Sequence, residues 1–121
     1  MPPFPWAQAL TARMLILFDH SVPAPLRDHL KKHAVTEAVE RGWDRLSNGD
    51  LLMVAEAAGF DVLLTADNNL SYQQNLKERK IAIVVLTGNR WRMVQRMIRK
   101  IVGAVDAAEP GSYAVIEIPV R

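Results

Sequence analysis

Asp19 and Asp67 each stand at or just past the end of an unbroken apolar run, LILF before Asp19 and VLLTA before Asp67. A carboxylate directly after a buried strand is costly unless it is paired, and ligands of open α/β folds gather outside the carboxyl ends of the strands. Carboxylates that converge on one pocket repel each other and are held together most readily by a divalent cation. Mg²⁺ and Mn²⁺ prefer oxygen ligands and leave positions for water and phosphate oxygens. Such an ion orients or deprotonates an attacking water and neutralises charge on the leaving oxygen of a phosphodiester. Asp19 and Asp67 are therefore the candidate metal ligands and catalytic residues. Asp50 is a third catalytic candidate, with Asn48 beside it as an oxygen donor and His20 beside Asp19 as a further ligand.

Structural roles compete at several of these positions. Asp67 before Asn68-Asn69 equally suits an Asx-turn. Asp50 three residues after Ser47 reads first as part of a capping box, and Asn48 as an N-cap. A single His in a turn, such as His20, is more often simply exposed. Trp43 and Trp91 read as packing residues.

Positioning these groups requires strands alternating with helices. Met14–Phe18, Ala34–Ala38, Val62–Ala66 and Ile81–Leu86 read as strands, and Tyr113–Ile118 alternates as a partly exposed edge strand does. Between them, helices are expected from Pro25 to about Lys32, over Ser47–Ala58, over Tyr72–Arg79 and over Trp91–Val105. The second of these would bury Leu51, Leu52, Ala55 and Ala58, and the last would turn Arg92, Arg96 and Arg99 outward. This alternation predicts a single α/β domain, with a mostly parallel five-stranded sheet and helices on both faces. In the doubly wound order 2-1-3-4-5 the first and third strands are neighbours, which would set Asp19 beside Asp67.

The chain has 121 residues, enough for one core and too few for two. It contains no Cys, which removes disulfides and thiolate metal sites and suits a reducing cytoplasm. Residues 1–13, rich in Pro, are expected to be an appendage to a domain spanning 14–121, with Met14 an alternative start. They lack the basic and apolar regions of a signal peptide, and no apolar run approaches a bilayer span. The net charge of +2 is unevenly spread. Lys77, Arg79, Lys80, Arg90, Arg92, Arg96, Arg99 and Lys100 face the single acid Glu78, while Glu37–Asp67 leans acidic. A basic arm beside an acidic centre suits a nucleic acid drawn to a metal pocket, although solvated basic helix faces are common.

A receiver-domain reading needs an acidic pair after the first strand and a Lys after the fifth. The chain offers Asp19-His20 and Pro119-Val120-Arg121 instead, so that reading fails. LFDHSVPAPLRDHL followed by RGWDRLSNGDLLMVAEAAGFDVLLTADNNL resembles the compact PIN-like family of bacterial toxin–antitoxin operons. That family is related to VapC-type toxins and to the C-terminal PIN-like domain of the Mut-type exonucleases. The likeness spans roughly Met14 to Leu86. The family's Asp-Glu-Asn-Leu/Val-Pro opening reads Asp19-His20-Ser21-Val22-Pro23, and its Leu-Val-Thr-x-Asp signature reads Leu63-Leu64-Thr65-Ala66-Asp67.

The resemblance implies a PIN-like fold, a Mg²⁺- or Mn²⁺-dependent ribonuclease acting as a toxin, and a small antitoxin protein as partner. Asp19 and Asp67 would hold the metal, Asp50 or Asn48 would complete its shell, Thr65 would support Asp67, and Arg92 and Arg96 would steer the RNA. By the same analogy the chain would pair as a homodimer through its edge strand or C-terminal helix. The chain departs from the family at His20, where Glu is usual, at Ser21, where Asn is usual, and at Asn48, where an acid opens the middle helix. These departures set beside the nuclease a second expectation, a weakened or inactive PIN-like protein that binds a partner or RNA.

Overall fold

The computed structural model describes residues 13–67 and 79–121. The appendage up to residue 12, the Asn68-Asn69 turn, all but the last residue of the helix expected over Tyr72–Arg79, and Lys77 lie outside the described residues. Each apolar run forms a short strand: β1 (Leu15–Phe18), β2 (Ala34–Glu37), β3 (Val62–Thr65), β4 (Ala82–Leu86) and β5 (Tyr113–Ile116). They make one five-stranded sheet in the order β2-β1-β3-β4-β5. Every pairing is parallel, as the alternation with helices requires.

Because successive strand residues point to opposite faces, the sheet sorts its apolar side chains into two cores. Ile16, Phe18, Leu64, Val84 and Leu86 face one way, packed by Leu26 and Leu30 and by Val94, Ile101 and Val105. Leu17, Leu63, Ile83 and Val85 face the other way against Leu51, Leu52, Ala55 and Phe60. Helical segments thus cover both faces. The helix α1 (Asn48–Ala57) covers the second face, and α2 (Trp91–Val94) with α3 (Ile98–Asp106) covers the first. An arginine stacks over part of the second core, with the Arg41 guanidinium 5.3 Å from the Trp43 ring and 5.4 Å from the Phe60 ring.

Local physics adjusts several expected elements. The segment after β1 is a 3₁₀ helix over Ala24–His29 rather than an α-helix reaching Lys32, with Pro25 in its first turn. Ser47 caps α1, accepting the Asp50 amide at 3.3 Å. Ala58, expected to face inward, is the exposed C-cap residue beyond the last turn. The C-terminal helix is not continuous, since Gln95–Met97 narrows to 3₁₀ between α2 and α3. Leu15, expected to be buried, is 42% exposed at the start of β1.

Acidic groups fasten the amino edge of the sheet. The Asp61 carboxylate accepts the Leu15 amide at 2.8 Å. His33 accepts the Met14 amide at Nδ1 (3.1 Å) and sits 2.7 Å through Nε2 from the Asp106 carboxylate, tying α3 to the starts of β1 and β2. Glu56 of α1 accepts the Lys80 amide at 2.7 Å and pairs with Arg79 at 3.2 Å. The Lys80 amide is the main cause that holds the Glu56 carboxyl below its usual value, against an opposing push from partial burial, and the Ile81 amide and Arg79 add to it.

Two expectations follow. Leu63→Ala, which empties a fully buried site, should cost about 2–5 kcal/mol in urea unfolding. Glu56 titrates lower in the folded chain than in the unfolded one, so its stabilisation is complete above the unfolded value and fades as pH falls through the folded one. The stability gap between the native protein and Glu56→Gln should therefore be widest at neutral pH and close in acid, as read by denaturation at a series of pH values.

Candidate functional site

The strand order sets Asp19 and Asp67 on neighbouring chains at one edge. Phe18 pairs with Leu64, so Asp19 leaves β1 level with Thr65, the last residue of β3, and Asp67 follows two residues later. The ladder continues through the Asp19 amide, which donates to the Leu64 carbonyl at 3.1 Å.

Asp19 is 4% exposed, and a carboxylate so far from water requires donors. One oxygen accepts the Ser21 amide at 2.9 Å together with the Ser21 hydroxyl. The other accepts the Thr65 hydroxyl. Each hydroxyl that donates to Asp19 accepts in turn from β3's exit: Ser21 Oγ takes the Ala66 amide at 2.9 Å, and Thr65 Oγ1 takes the Asp67 amide at 3.0 Å. Thr65, expected to support Asp67, accepts the Asp67 amide and also donates its hydroxyl to the Asp19 carboxylate, so that one side chain serves both acids.

Asp67 itself is exposed, and its Oδ2 accepts the Asn48 side-chain amide at 2.6 Å. Asn48, the first residue of α1, therefore does more than open the helix, and Ser47 rather than Asn48 is the N-cap. Asp50 is exposed on the first turn and its amide serves the Ser47 cap. Asn48, not Asp50, is the residue of α1 that reaches Asp67. His20 is exposed.

Among the described residues no group of three His, Asp or Glu side chains lies close enough to hold a metal ion. The oxygen-bearing groups that converge at this edge are the two carboxylates, with the Asn48 amide on Asp67. Mg²⁺ and Mn²⁺ are commonly anchored by one or two carboxylates, with water and substrate phosphate completing the shell. Asp19 and Asp67 would hold such an ion, with Thr65 and Ser21 fixing the orientation of Asp19.

Arg92 and Arg96 are exposed on the C-terminal helical segment, and Arg96 donates to the Arg121 carbonyl at 2.7 Å. Ser21 was not singled out as a site residue from sequence, although a hydroxyl two residues after an acid commonly closes a local side-chain-to-backbone turn. Asn89 and Arg90, the latter part of the basic arm, follow β4 at the same carboxyl edge as the two acids. No helix among the described residues is long and apolar enough to cross a membrane.

The division of labour between the acids is measurable. Asp19→Ala should leave the Thr65 and Ser21 donors without their acceptor and cost about 1–3 kcal/mol in chemical denaturation. The exposed Asp67→Ala should cost about 0.5 kcal/mol or less in the same experiment. Comparison with protein-family models, with curated proteins and with solved structures finds no match to this chain.

Proposed function

We propose that the protein is a metal-dependent ribonuclease, in which Asp19 and Asp67 hold Mg²⁺ or Mn²⁺ against an RNA phosphodiester. The observation that carries the reading is the Thr65 hydroxyl, which joins the buried Asp19 carboxylate to the Asp67 backbone at the exit of two neighbouring strands. Active-site acids need this kind of fixed placement, because an orientation error of an ångström at the reacting centre costs rate. A bound ion would lower the pKa of a coordinated water and offset charge on the phosphodiester oxygens.

The remaining work falls to the chain's own residues. Ser21 and Thr65 fix the Asp19 carboxylate between them. Asn48 holds Asp67 by one oxygen. The exposed Arg90, Arg92 and Arg99 give this part of the surface the sign that attracts a phosphate backbone. The role as a toxin restrained by a small antitoxin rests on the likeness of the LFDHSVP and LLTAD segments to PIN-like proteins of toxin–antitoxin operons.

Asn48 supports a second reading, a PIN-like protein that binds RNA or a partner without cutting. Its amide donor satisfies Asp67 where an acid of the usual set would have called for a cation. Cleavage of single-stranded RNA in Mn²⁺ separates the two. On the nuclease reading, Asp67→Asn stays folded and loses at least about a hundredfold in cleavage rate, and EDTA abolishes the reaction. RNA left intact by the native protein in Mn²⁺, or cut equally by Asp67→Asn, would favour the binding reading.

A further inference from the structure

Two of the cavities, about 500 Å³ and 420 Å³, flank the starts of β1 and β2; Arg27 and His33, which line them, are already paired, Arg27 with Glu37 and Glu40 and His33 with Asp106. Those groups already serve one another. A third opening is different, because it lies at the carboxyl edge that carries Asp19 and Asp67. Beyond β4 and β5 the chains stay joined by two bonds. The Thr87 amide donates to the Ile116 carbonyl at 3.1 Å, and the Ile118 amide donates to Thr87 Oγ1 at 2.7 Å. They then part around a cleft of about 200 Å³ lined by Thr87, Asn89, Arg90, Met93, Ile118 and Val120.

Register puts the cleft at the same edge of the sheet as the acids. Thr65 pairs with Val85, so Asp67 and Thr87 each stand two residues past the last rung of neighbouring strands. Met93 and Ile118 of the cleft belong to the core of the first face, whereas Asp67 is bonded to Asn48 of α1 on the second, so a nucleic-acid strand joining the two sites crosses the edge of the sheet. We propose that the cleft takes one nucleobase of a single-stranded RNA whose phosphate lies at Asp19 and Asp67, an inference that rests on the function proposed above.

Size, lining and charge carry it together. The cleft is smaller than the roughly 300–1,000 Å³ pockets that enclose drug-sized ligands, which leaves room for a single ring system. Met93, Ile118 and Val120 supply the apolar walls between which an unstacked base is held. Asn89 offers both a donor and an acceptor to the base edge. Val120 is 85% exposed, so the wall it forms is open to a ligand from solvent. Arg90 lines the cleft, and Arg92, Arg96, Arg99 and Lys100 are exposed on the helices that follow, against the exposed Glu117 beside Ile118. That balance draws a polyanion, and of the polyanions a single-stranded nucleic acid also carries flat rings of the cleft's size.

The test compares a hexaribonucleotide with an abasic hexamer of equal charge, in EDTA, by amide chemical shifts and affinity. The bases should tighten binding about tenfold and shift the Gly88, Asn89 and Val120 amides, in the native protein and in Asp67→Asn alike. Gly88→Leu should erase most of that preference. A Cβ at Gly88 would meet Ile118 at an ordinary 3.5 Å, so the larger side chain enters the cleft wall without a backbone clash. Asn89→Ala, an exposed loop change with no bearing on folding, should weaken the oligonucleotide and leave the abasic hexamer unaffected. Equal affinity for both hexamers, or a hexaglutamate peptide that produces the same shifts, would overturn the proposal. Because the readout is binding without metal, it fails or succeeds independently of RNA cleavage.

Discussion

The Asp19 carboxylate stands almost out of water at the end of the first strand, and its need for donors organises the edge around it. Ser21 supplies an amide and a hydroxyl, and Thr65 supplies a hydroxyl from the next strand. Neither hydroxyl stops there, since each accepts an amide from the chain that leaves β3. The result is a closed set of charge-assisted bonds that fixes two loops to each other. Removing any member exposes its partners to an unmet demand in a place where water is scarce.

The contrast between the two edges of the sheet sharpens this point. At the amino edge, Asp61, Asp106 and Glu56 each answer to a backbone amide, a histidine or an arginine and join elements together. At the carboxyl edge Asp19 does the same work, but Asp67 faces solvent with an amide side chain on one oxygen. Asn48, on the first turn of α1, donates to that oxygen and so ties the helix to the exit of β3.

Much of the fold was legible because buried parallel strands write themselves as unbroken apolar runs, and LILF, VLLT and AIVVL are such runs. The runs are compatible with the 2-1-3-4-5 order but do not dictate it; the pairing itself shows it and sets Asp19 beside β3. Side-chain partners were less legible. Thr65, two residues before Asp67, does bond that residue, through its amide, while the level register with Asp19 gives the same hydroxyl a second partner on the neighbouring strand that spacing along the chain does not show. Asp50 drew attention as an acid near a helix start, while the first helical position, Asn48, was the one aimed at β3's exit. The cleft beside Asn89 and Arg90 has no sequence pattern of its own. It arises where two strand extensions diverge, a feature that only the paired backbone reveals. The helix breaks at Ala24–His29 and Gln95–Met97 were likewise invisible, because 3₁₀ and α-helical turns share the same apolar spacing over so few residues.

Paramagnetic line broadening by Mn²⁺ tests the divalent-cation site proposed at Asp19 and Asp67. Titrated at low molar ratio into the isotope-labelled protein, Mn²⁺ should first broaden the amides of Asp19, His20, Ala66 and Asp67. Excess Mg²⁺ should restore them, and Asp67→Asn should abolish the effect. Broadening that begins at the amino edge around Asp106 or Glu109, or that survives Asp67→Asn unchanged, would rule the site out.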